Sequence, residues 1–161
     1  MSFKTSNKKR APDSNDVIKI KKLTASYNDD HIRVFQIYIK TKILQLSITH
    51  QLSFNSIHFS SNIVKTKRCD ACFISNDRQI GLIECFVVYS SNVFVIAKKI
   101  APLFNCFYRP SCPEIKSSMH YCYISDQLFV IELKNITKTL LVHTSNDNCF
   151  VSLFHSSHLF S

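Results

Sequence analysis

The chain has 161 residues, of which 45% are apolar and 12% aromatic, and it carries a formal net charge of +9 at pH 7. That size and composition suit one folded domain, and no run of about 18 uncharged apolar residues exists to form a membrane-spanning helix. Gly81 is the sole glycine, which excludes a glycine-rich phosphate loop, a dinucleotide fingerprint and a nucleophile elbow, because each needs several glycines at fixed spacing.

Residues 1–10 are polar and basic with no apolar core behind them, so no secretory leader is expected. Residues 1–28 are rich in Lys, Ser, Asn and Asp and poor in side chains to bury, which predicts a disordered basic arm. Two basic clusters lie within it: Lys8, Lys9 and Arg10, then Lys19, Lys21 and Lys22. Such clusters serve as a nuclear-import signal or as phosphate contacts, or they simply solvate a tail. Charge is uneven along the chain. Residues 1–23 carry +5, residues 24–68 carry +4, and residues 69–161 sum to zero. The basic character belongs to the front, ahead of a neutral domain.

From residue 29 to 158 a single β domain is expected. Over residues 34–54 the apolar positions alternate: Phe35, Ile37, Ile39 and Ile43, then, after a change of phase, Leu44, Leu46, Ile48, Leu52 and Phe54. That period of two predicts two strands meeting at a bulge or bend near Ile43–Leu44, with a helix capped by Asn28, Asp29 and Asp30 as the alternative. Further strands are expected at 57–59, 71–75, 80–89, 93–100, 121–124, 128–133, 139–143 and 149–154. With one glycine available, Asn, Asp and Ser must make the turns, at 76–77, 90–92, 126–127 and 145–148. Pro102, Pro110 and Pro113 mark a long loop over about 102–119. Strands at this spacing predict an all-β fold, a small antiparallel, partly open barrel.

Candidate chemistry is sparse. The seven cysteines form an odd set behind no leader, which predicts reduced thiols in an intracellular, nuclear protein. Cys69 and Cys72 make the one CxxC, a weak zinc candidate, because residues three apart on a strand point to opposite faces. His155 and His158, with His143 and Cys149, form a looser group. Glu84 and Glu132 interrupt apolar runs and are expected to face solvent or to meet a lysine. No acid/base or nucleophile constellation emerges, so neither an enzyme nor a cofactor is expected. Phe104, Phe107, Tyr108, Tyr121 and Tyr123, in or beside the long loop, are candidates for an aromatic ligand loop, the alternative being that they pack.

From Phe54 onward, over about 54–154, the chain resembles a family. The stretch 54–68 is similar to the opening of a β-module found at the C-terminus of transposase-like proteins. Residues 72–86 carry a strand, a polar turn and the pattern IGxIxxF, while 128–136 and 149–151 match its closing strands. Two features depart from the pattern: Ile63 stands where an aromatic is usual, and residues 155–160 lack a Pro-Asn closure. The resemblance implies a barrel akin to Src-homology or bromo-adjacent-homology modules. It also implies a non-enzymatic role in binding protein or chromatin, and a transposon remnant or domesticated fragment. The alternatives are a nucleic-acid-binding protein using the basic arm and a zinc-stabilised interaction module.

Overall fold

The computed structural model describes residues 2–3, 17–54, 57–61, 71–105, 119–138, 140–145 and 148–152. In chain order these form β1 (Ser2–Phe3), β2 (Ile18–Lys21), β3 (Thr24–Ser26), α1 (Asp29–Ile39), β4 (Leu46–Thr49), β5 (Gln51–Phe54), β6 (Ile57–Ser60), β7 (Cys72–Ser75), β8 (Ile80–Tyr89), β9 (Asn92–Asn105) and β10 (Met119–Glu132). A 3-10 turn (Leu133–Asn135) then leads to β11 (Ile136–Lys138), β12 (Leu140–Ser145) and β13 (Asn148–Ser152). Strands dominate and every pairing among the described residues is antiparallel, as expected from strands joined by short turns without helices between them.

The strands form two sheets. The smaller has the order β1-β2-β5-β6; the larger runs β11-β7-β8-β9-β10-β13-β12, with β4 beside β8 and β3 beside β4. The chain changes sheet twice in the same place. Lys22, with φ at 51°, turns β2 into β3, and His50 separates β4 from β5. Buried Thr49 ties the two corners together, its hydroxyl donating to the Lys21 carbonyl.

The large sheet curls strongly. Cys72 and Ile74 of β7 share a core cluster with Cys149 and Val151 of β13, although β8, β9 and β10 separate those strands in the hydrogen-bonded order. Among the described residues no ladder joins the two ends, so the expected, partly open barrel is an open, coiled sheet. On one face, Ile83, Phe86, Val95 and Ala97 pack with Ile20, Leu52 and Phe59 of the small sheet. On the other, Cys85, Val87, Phe94 and Ile96 pack under Phe35 of α1 and under Leu46 and Ile48.

Two bulges keep these faces in phase. Ile83 pairs with Ala97 and Cys85 with Ile96, leaving Glu84 as the extra residue. In β10 the register slips between Ile124 and Leu128. The expected turn at 126–127 is therefore a bulge, and 119–132 is one strand that bends without reversing.

Three other expectations change. Residues 29–39 are helix, because Asn28 Oδ1 accepts from the His31 N–H at 3.1 Å, Asp29 and Asp30 favour the positive end of the helix dipole, and Lys40 closes it at φ 57°. The apolar set fits both periods, but along the helix His31, Phe35 and Ile39 lie inward while Ile37 is 70% exposed. The second half, Leu46–Phe54, forms strands as expected. The disordered arm expected over 1–28 does not hold for residues 18–26: Ile20 is buried against the small sheet's core, so residues 18–21 and 24–26 gain ladders on β5 and β4. Residues 4–16 lie outside the described residues. Finally, β9 runs through Pro102 to Asn105 and β10 begins at Met119, so the long loop is bounded by 105 and 119; residues 106–118 lie outside the described set.

Candidate functional site

Two places gather chemistry-bearing side chains. The first is beneath α1. His31, the third residue after the Asn28 cap, is buried, and its Nδ1 lies 3.7 Å from Cys85 Sγ. Its Nε2 lies 3.7 Å from Glu84 Oε2. Thiol, imidazole and carboxylate in that order are the components of a nucleophilic triad. Their surroundings decide otherwise. Cys85 is fully buried, and burial first, then the Glu84 charge, pushes its thiol up to about 12. At neutral pH the buried sulfur holds its proton, and the contacts of His31 with Cys85 and Glu84 seat α1 on the β8 bulge. Glu84 does not face solvent: the bulge turns it under the helix toward His31, its side chain 13% exposed.

The second place is the outer face of the small sheet. Along β2 the side chains alternate, Ile20 inward and Lys19 and Lys21 exposed. Lys19 stands opposite Ser53 of β5, which stands opposite exposed His58 of β6; Lys21 stands opposite Gln51. Lys22 follows, also exposed. The result is a polar, basic face with two lysines about 7 Å apart on one strand. Lys8, Lys9 and Arg10 lie outside the described residues, in the segment that links β1 to β2.

Other candidates separate. Cys72 is buried in β7, and Cys69 lies outside the described residues. Among the described residues no group of three or more His, Cys, Asp or Glu side chains could hold a metal ion. His155 and His158 lie outside them, and His143 is placed on β12 opposite Phe150. Glu132 meets a lysine as expected, Lys134 Nζ at 3.0 Å. Of the loop aromatics, Phe107 and Tyr108 lie outside the described residues; Tyr121 sits opposite Phe104 in the β9–β10 ladder, and Tyr123, two residues on, is 43% exposed. A cleft of about 100 Å³ between Phe54, Asn92, Glu132 and Lys134 is smaller than the roughly 300 Å³ at which ligand pockets begin.

Sequence reasoning missed His31 as a partner of Glu84 and Cys85, because they are far apart in the chain. The available signal was a glutamate breaking an apolar run, which marks a bulge with a polar partner. Among the described residues no helix is long and apolar enough to cross a membrane. Fold and surface together define a mostly β protein of two antiparallel sheets with one docked helix and a basic outer face. Compared with family models, curated proteins and solved structures, the chain matches none.

Proposed function

We propose that the chain is a non-enzymatic binding module that engages nucleic acid through the outer face of the small sheet. One observation carries the reading: Lys19 and Lys21 project from the same side of an ordered strand, exposed, while Ile20 anchors that strand in the core. Charges fixed on a strand lose less freedom on binding than charges on a free tail, so each contact costs less entropy. Lys8, Lys9 and Arg10, in the segment joined to this sheet, extend the same field. The resemblance to transposase-like proteins supports a nuclear setting in which DNA is met as chromatin, and it supports a transposon-derived origin.

The test is anisotropy of labelled duplex and single-stranded DNA across a salt series. Binding that weakens with salt, and a slope reduced by roughly 0.9 for each lysine removed in Lys19→Gln and Lys21→Gln, is the expected result. Binding that these substitutions leave unchanged at every salt concentration would overturn the assignment of the face.

A further inference from the structure

Cys122 of β10 and Cys149 of β13 are register partners, directly opposite each other in an antiparallel ladder. Opposite residues in such a ladder have Cα atoms roughly 4.5–5.5 Å apart, inside the window of about 4.4–6.8 Å that a disulfide spans. Neither is in a disulfide, and both are buried, at 0% and 1% exposure, in the cluster that the curled sheet encloses. The Cys122 sulfur also lies 3.6 Å from the His120 carbonyl oxygen of its own strand. We propose that Cys122 and Cys149 form a cross-strand dithiol that a hydroperoxide oxidises to a disulfide, a modification site that staples β13 to β10.

Chemistry distinguishes the two sulfurs. A hydrogen bond from the Cys122 thiol lowers the Cys149 thiol below its ordinary value, although burial opposes it. Cys149 is therefore the attacking sulfur. Its thiolate attacks one peroxide oxygen, the O–O bond breaks, and the departing oxygen takes the proton that Cys149 lost. Cys149 is left as a sulfenic acid. The Cys122 sulfur then attacks the Cys149 sulfur; the S–O bond breaks, and the leaving hydroxide takes the Cys122 proton as water. Two thiols lose two electrons and the peroxide gains them. The reagent is small, and it needs only local opening of the β12–β13 hairpin at one end of the sheet. Cys85, held as a thiol on the other side of the core, is the internal control.

The experiment uses the full chain, reduced, then exposed to hydrogen peroxide, alkylated, digested with trypsin and mapped by mass spectrometry. Cys122 and Cys149 fall in separate tryptic peptides, 117–134 and 139–161. The expected product is those two peptides joined, released by reductant, with Cys85 still alkylated. With dimedone present while the full chain is exposed to peroxide, the adduct should fall on Cys149 and not on Cys122. Cys122 and Cys149 both remaining alkylatable, or Cys149 joined instead to Cys72 of the same cluster, would overturn the proposal. An adduct on Cys122, or equal labelling of the two, would overturn the assignment of the attacking sulfur.

Discussion

Phe73 lies across the backbone of Gly81. The two are paired across the β7–β8 ladder, and a Cβ at position 81 would stand 2.5 Å from Phe73 Cζ and 2.9 Å from Phe129 Cζ. The lone glycine is thus required by the rings laid over it, because its backbone angles are open to any residue. Gly81→Ala should lower stability by about 1–3 kcal/mol, measured by denaturant unfolding. Adding Phe73→Leu should recover part of that loss, since the shorter side chain removes the nearest clash. A neutral Gly81→Ala would mean that the rings move aside freely.

Cys85 makes stability depend on alkaline pH. Its thiol is raised from 9.0 to about 12 in the folded chain, so folding favours the protonated form. That stabilisation is complete below pH 9 and is lost as the pH climbs from about 9 through about 12. Stability should fall by up to roughly 1.4 kcal/mol per pH unit within that window. Other groups titrate there too, so the informative quantity is the difference in slope against Cys85→Ala, which should show a shallower decline.

The Asn28 cap should be worth about 1 kcal/mol to the whole fold, since it satisfies a backbone N–H at the start of the helix. Asn28→Ala should lower the melting temperature, while Asn28→Asp should hold it, because a carboxylate accepts the same His31 N–H. Equal losses for both substitutions would show that the cap hydrogen bond is not the source.

Ser90 and Ser91 form the two-residue turn between β8 and β9 with φ at 46° and 64°. That left-handed pair is the conformation for which Asn-Gly is suited, and holding it costs ordinary side chains roughly 1–2 kcal/mol per residue. Replacing Ser90-Ser91 with Asn-Gly should therefore raise stability by about 1 kcal/mol. A drop in melting temperature would mean that the serine side chains contribute something the hairpin geometry does not reveal.

Neutralising the basic face should separate binding from folding. Lys19→Gln with Lys21→Gln should weaken DNA binding and leave the melting temperature within about 1 °C, since exposed polar substitutions usually change stability by less than ~0.5 kcal/mol. In cells, Lys8, Lys9 and Arg10 replaced by Gln should lower the nuclear fraction. An unchanged distribution would assign nuclear entry elsewhere.

By itself the sequence determined that this is a mostly β protein. The apolar runs at 80–89 and 93–100, short and rich in β-branched and aromatic residues, read as strands, and Ser90-Ser-Asn92 between them reads as their turn. A lone glycine within an apolar strand reads as a bulge or a close backbone approach; only the structure decides, laying Phe73 and Phe129 over Gly81 and placing the bulge at Glu84. The sequence did not determine residues 29–39. Phe35, Ile37 and Ile39 satisfy a period of two, and only the packing of Phe35 against Phe94 and Tyr89, with Ile37 left in water, selects the helix. The second basic cluster could not be read as a strand either, since β2 owes its order to Leu52 and Phe59 more than thirty residues away. The same holds for both cysteine sites. Cys122 meets Cys149, and Cys85 meets His31, because strand register and sheet curl bring distant positions together. Local sequence encodes periodicity; which distant residues become neighbours is set by the register that buries the most apolar surface at once.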